Sequence, residues 1–103
     1  MSNRDLGRIL ENVVYLELIR RGYKVYIGKV DNIEIDFVAV KIDETTYYQV
    51  AQSIIDENTF EREIKSLLKI KNNYEKYIIT MDNLPQMNND GIKIINSIDF
   101  LMA

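Results

Sequence analysis

The sequence predicts a single α/β domain with the element order α-β-β-β-α-β-β-α, and three observations carry that expectation. Apolar residues recur at helical spacing in two separate stretches, and β-branched and aromatic runs bounded by turn residues lie between and after them. A chain of 103 residues, 47% of them apolar, is long enough for one core and too short for two. Strands on both sides of a helix also require at least one crossover, which is expected to be right-handed.

The first helix is predicted over about Arg4 to Arg21. Apolar residues repeat from Leu6 to Ile19, Gly22 supplies the stop, and Arg20 and Arg21 suit the negative end of the helix dipole. The runs "YKVYIGKV" and "IEIDFVAVKI" are joined by Asp31-Asn32, and "TTYYQVAQ" follows the Asp43-Glu44 turn, so three strands in a meander are expected. In "NTFEREIKSLLKIKNNY", Asn58 with Glu61 three residues on forms an asparagine version of the capping box. Phe60, Ile64, Leu67 and Leu68 then share one face of a second helix. "KYIITM" and "IKIIN" read as buried strands separated by a loop, "DNLPQMNNDG", and Ser97 is expected to cap a last short helix. No internal repeat, low-complexity tract or linker interrupts residues 1–103, which read as one domain.

Composition closes off several chemistries. With no cysteine and no histidine there are no disulfides, thiolate nucleophiles, Cys/His zinc sites or histidine bases, so catalysis would have to run on carboxylates, lysine, tyrosine or a hard cation such as Mg²⁺. A net charge of −3 argues against a strong sequence-independent DNA binder. No apolar run approaches the roughly 20 residues of a membrane span, and "MSNRDLGRILENVV" carries charges where a signal peptide is apolar, so a cytoplasmic setting is expected.

The residues that could carry chemistry are few. Glu11 shares a stripe with Val14, Tyr15 and Leu18, either as a functional acid or as an edge residue reaching to water. On the second strand Ile33, Ile35, Phe37 and Ala39 are expected on one face and Glu34, Asp36, Val38 and Val40 on the other. Asp36, on a half-apolar face, then needs a hydrogen-bond partner or a cation unless it sits at a solvated strand end. On the third strand Tyr47, Gln49 and Ala51 share a face, and Gln49 and Gln52 read equally as polar members of an edge strand. Arg62, Lys65 and Lys69 form a basic stripe, a candidate phosphate contact or a solvated helix face. The glycines at 7, 22, 28 and 91 make no nucleotide-phosphate loop.

The element order, with Glu11 on the first helix, Asp36 on the second strand and Gln49-Val50-Ala51 on the third, resembles the core of the PD-(D/E)xK nuclease superfamily. More closely, "GRILENVVYLELIRRGYKVYIGKV", "EIDFVAV", "YYQVAQS" and "FEREIKSLLKIKNNYEKYIITMD" resemble an uncharacterised domain found after an AAA-type P-loop ATPase module in many bacterial and archaeal proteins. The resemblance covers Gly7 to Leu101 and implies a restriction-endonuclease-like core, a mixed central sheet flanked by helices. It also implies that the chain is a fragment, or a separately encoded copy, of a longer ATPase.

In that superfamily a strand aspartate and the (D/E) position hold Mg²⁺, a lysine activates water, and the helix glutamate assists. Carried over by position, Glu11 and Asp36 match, Gln49 replaces the acid and Ala51 replaces the lysine. The expectation is a degenerate site, at most a weak metal site at Asp36 and Glu11. The chain would then be an inactive or severely impaired module accessory to an ATPase in cis or in trans, acting by protein contacts or weak nucleic-acid binding. Two alternatives stand beside it: a working Mg²⁺-dependent DNA or RNA endonuclease using Glu11, Asp36 and Gln49 with Glu34, and an oligomerisation domain. In the second, the exposed strand after Ile92 or the Tyr47-Tyr48 edge would pair with a partner.

Overall fold

The computed structural model describes residues 3–103, over which α1 (Asn3–Arg20) precedes the meander β1 (Lys24–Val30), β2 (Ile33–Lys41) and β3 (Glu44–Ala51). Then come α2 (Glu57–Leu68), β4 (Glu75–Thr80), β5 (Met87–Asn89), β6 (Ile92–Asn96) and α3 (Ser97–Met102). The fold is α/β, with one mixed six-stranded sheet in the order β1-β2-β3-β4-β6-β5. β1, β2 and β3 pair antiparallel, β3 with β4 and β4 with β6 pair parallel, and β5 closes one edge antiparallel to β6.

Local chemistry fixes these boundaries. Gly22, at φ 92°, donates its N–H to Ile19 O (2.9 Å) and Tyr23 donates to Leu18 O (3.1 Å), the paired bonds of a Schellman stop. Asp31 and Asn32, at φ 52° and 66°, turn β1 into β2 as a two-residue hairpin requires. The cap of α2 is Asp56, whose carboxylate accepts from Thr59 N–H at 3.1 Å, and not Asn58, which lies inside the first turn. Likewise Asn96, one residue before Ser97, caps α3 by accepting from Ile98 and Asp99 N–H.

β5 occupies part of the segment expected to be a loop. Asp90 and Gly91, at φ 53° and 88°, make a tight hairpin turn that folds Met87–Asn89 back onto β6. Those three residues are neither β-branched nor aromatic, so only the Asp-Gly pair announces the strand.

The two faces of the sheet carry separate cores. α2 packs Ile64 and Leu67 onto Ile35, Tyr47, Ile78 and Ile94, whereas α1 and α3 pack Leu10, Val14, Leu18 and Phe100 onto Phe37, Ala39, Tyr48 and Ile79. Leu68, expected on the inner face of α2, is 39% exposed because it lies at the edge of the stripe that Phe60, Ile64 and Leu67 define. The expected alternation of β2 fails midway. Ile35 faces α2 while Phe37 and Ala39 face α1, because two residues of β2, Asp36 and Phe37, stand opposite the single Ile27 of β1. This bulge turns the strand over.

Neither strand edge proposed for self-pairing is free. β3 is central, with Tyr47 and Tyr48 4% and 5% exposed, and β6 lies between β4 and β5. The sheet edges are β1 and β5. No helix among the described residues is long and apolar enough to cross a membrane.

Candidate functional site

The bulge in β2 sets the geometry around Asp36. Backbone pairing between β2 and β3 is regular from Lys41↔Glu44 to Phe37↔Tyr48 and then gives way to side chains. Asp36 N–H donates to Gln49 Oε1 (2.9 Å), Gln49 Nε2 donates to the Glu34 carbonyl (3.0 Å), and Val50 N–H donates to Asp36 Oδ2 (2.8 Å). One carboxamide and one carboxylate thus carry the β2–β3 connection beyond the last backbone pair. A buried strand would otherwise leave those backbone groups unpaired.

Gln49 is therefore not a polar member of an edge strand. It is 5% exposed in a central strand, and both ends of its amide are engaged. A carboxylate could not serve in its place, since it has no proton to donate to the Glu34 carbonyl. Asp36 has, in the Val50 N–H, the hydrogen-bond partner expected of a half-buried acid.

Around Asp36 lie three further acids, one of them not among the sequence-predicted site residues. Glu11, exposed at the edge of the α1 stripe, lines an open cleft with Glu34, Asp36, Phe37, Ile27 and Lys29. Burial pushes the Asp36 carboxyl above its usual range, against the Val50 N–H, and Glu34 pushes it the same way. Burial and then the Asp36 charge raise Glu11. Glu63 on α2 is raised by the same two causes, from the opposite face of the sheet. Glu63 escaped sequence reading because it alternates with Glu61 and Arg62 on what reads as a solvated surface. Its one signal is its position, directly before the core residue Ile64 on a helix that crosses β2.

Ala51 packs against the α2-side core and pairs with Thr80 of β4. It shares a shallow cleft with Arg62 and Glu63, so the cation nearest Ala51 in that cleft is an arginine. Lys41 is far along β2, its ammonium over the Tyr23 ring at 4.2 Å. Arg62, Lys65 and Lys69 do form one exposed stripe on the outer face of α2, with Asn58, Glu61 and Ser66 between them. That stripe does not converge on the Glu11–Asp36 cleft.

This donor set does not fit Mg²⁺. The hard cation needs several oxygens, largely anionic, in near-octahedral array. Here the Gln49 oxygen and one Asp36 oxygen already accept backbone N–H groups, and among the described residues no three acids converge at ligand distance.

An uncharacterised protein of Haemophilus influenzae is 50% identical to the chain over 93 residues, 90% of this chain and 22% of that protein. The chain thus spans about a fifth of the length of that relative. No family model matches the chain, and no solved structure matches it.

Proposed function

We propose that this chain is a nuclease-fold module on a restriction-endonuclease-like core that does not cleave, and that it serves a P-loop ATPase through protein contacts or weak nucleic-acid binding. The observation that carries the reading is the Gln49 carboxamide. At the position where the resembled nucleases hold a metal ligand, this side chain is committed at both ends to the backbone of β2. Ala51, at the lysine position, contributes only packing. Support for the fold comes from the element order, with α1 and α2 on opposite faces of a sheet whose meander feeds a parallel crossover. The ATPase is implied by the resemblance, in cis or in trans, and a relative more than four times as long has room for one.

The test is a cleavage assay with single- and double-stranded DNA and with RNA in Mg²⁺ or Mn²⁺. The expected result is no product above that of the Asp36→Ala chain, and cleavage that Asp36→Ala abolishes overturns the proposal. A nucleic-acid arm separates the two modes of action. If the basic stripe contacts phosphates, replacing Arg62, Lys65 and Lys69 by alanine lowers the log-log salt slope of oligonucleotide binding by about 2 to 3. An unchanged slope leaves protein contacts.

One observation favours the second reading, a working metal nuclease using Glu11, Asp36 and Gln49 with Glu34, which requires Gln49 to release the Asp36 N–H it now accepts. Lys29 of β1 lines the same cleft as Glu11, Glu34 and Asp36, where a lysine could orient water. Saturable Mn²⁺ binding by calorimetry, lost in Asp36→Ala, would support it.

A further inference from the structure

The back of α1 carries a second, largely apolar face. Leu10, Val14 and Leu18 face the sheet, 0–4% exposed, while Ile9, Leu16 and Ile19 stand on the other side of the helix, 46%, 63% and 43% exposed. At 100° per residue Ile9 and Leu16 lie within about 20° of each other. Asn12, exposed, and Val13, half-buried, flank the line between them on either side. Tyr15, 37% exposed beyond Ile19, continues the apolar surface to Phe37, whose ring centroid lies 5.9 Å away.

We infer that this face is the interface of a two-fold dimer in which α1 of one copy pairs antiparallel with α1 of a second. The argument for a second copy is self-complementarity about a point midway between Asn12 and Val13. With the two-fold there, Ile9 opposes Leu16 of the other copy at two symmetric positions, and Val13 meets Val13 at the centre. Asn12, the polar residue at the centre of the face, meets Asn12 of the other copy. Each carboxamide offers both a donor and an acceptor, so the pair can satisfy itself, and a single asparagine in an apolar helix seam fixes register. The ends agree in charge. Asp5 in the first turn of α1 comes opposite Arg20 in the last turn of its mate, whose guanidinium also holds Glu17 of its own helix, and antiparallel helices oppose their dipoles favourably. Ile9, Asn12, Val13 and Leu16 carry no charge, so the symmetry brings no like charges together at the centre.

The area is consistent with a weak pair. The visible parts of the apolar side chains come to roughly 200–300 Å² per copy. With a polar rim, two copies would bury about 1,000 Å², the lower limit for a specific interface. The expected dissociation constant is therefore on the order of 10–100 µM.

Sedimentation equilibrium of the chain, from about 10 to 500 µM, tests this. The apparent mass should rise toward twice the monomer, and Leu16→Glu should weaken association at least about tenfold while leaving the circular dichroism spectrum unchanged. Ile9→Lys, also solvent-facing, provides a second variant with the same expected loss. Asn12→Asp tests the register, since it sets two carboxylates against each other at the two-fold and should weaken association at pH 7 more than at pH 4. A monomer at every concentration overturns the inference, as does a dimer that neither Leu16→Glu nor Ile9→Lys weakens. A dimer broken by Ile27→Lys and not by Leu16→Glu also overturns it, by moving the interface to the free edge of β1. A dimer that Leu16→Glu breaks but Asn12→Asp leaves unchanged overturns the proposed register.

Discussion

α1 and α2 cover opposite faces of one sheet and are built on different plans. α2 is one-sided: Ile64 and Leu67 are buried, Asp56 caps it, and its outer face carries Glu57, Glu61, Arg62, Lys65 and Lys69. α1 has apolar residues on both sides, with Leu10, Val14 and Leu18 buried and Ile9, Leu16 and Ile19 exposed around a single outward amide, Asn12. Its C-terminal turn is pinned to α3, where the Arg21 guanidinium lies 4.4 Å from the Phe100 ring centroid and donates to the Phe100 carbonyl. A helix whose packing ends at the sheet needs one apolar stripe, as α2 has, and a second stripe is ordinarily covered by something else. The contrast marks α1 as the helix equipped for a further contact.

The largest expected effect divides α1 itself. Leu18→Ala empties a fully buried position and should destabilise the fold by about 2–5 kcal/mol, whereas Leu16→Ala, two residues earlier on the outer side, should stay within about 0.5 kcal/mol in dilute solution. Urea unfolding at low protein concentration measures both. Comparable losses would mean that the back of α1 is already covered, and the contrast with α2 would fail.

Much of this architecture is legible in the sequence, because long periodic runs and glycine punctuation are strong local signals. α1, its stop at Gly22, the meander and α2 all follow from such signals. What was not legible depends on neighbours. The caps shift from Asn58 to Asp56 and from Ser97 to Asn96 because each helix starts where its first turn closes, and several residues there could cap. The turnover of β2 between Ile35 and Phe37 depends on pairing with β1, which a single strand's alternation cannot reveal. The candidate site lies in the same stretch of β2, where its backbone pairing with β3 ends. Asp36 and Gln49 can be picked out by spacing, but their mutual engagement with the backbone exists only once the ladder is interrupted. The outward face of α1 shows the converse difficulty, since helical periodicity counts Ile9, Leu16 and Ile19 among the apolar residues without saying that two faces share them.

The two plans meet at Asp36, toward which α1 and α2 each bring one acid, and a change beside it gives the next largest effect. Gln49→Glu removes the donor to the Glu34 carbonyl and adds a charge beside Asp36 and Glu34. It should cost about 1–3 kcal/mol at neutral pH, and less near pH 4, where the new acid can be protonated. If denaturation shows no loss, the amide is not what holds β2 to β3 here. The site would then tolerate the acid that a metal centre needs.

The smallest effect is Asp36→Asn, and its sign differs from that of an ordinary paired carboxylate. Because the Asp36 carboxyl is raised in the folded state, its ionisation opposes folding, so this contribution to stability is lost as pH rises through that raised value. Asparagine keeps an oxygen for the Val50 N–H and removes the charge. The variant should match the parent near pH 3 and exceed it by up to about 1 kcal/mol at pH 7. Glu17 runs the other way. Arg20 and Arg21 hold its carboxyl down at about 2, so its contribution is present above the usual carboxylate range and lost as pH falls toward that value. Carboxyl NMR titration of the Asp36→Asn chain compares the two helices directly. With the Asp36 charge gone, Glu11 on α1 and Glu63 on α2 should both titrate lower, since that charge raises each of them. A shift in Glu11 alone would detach α2 from the site and leave the acidic cleft to α1 and β2.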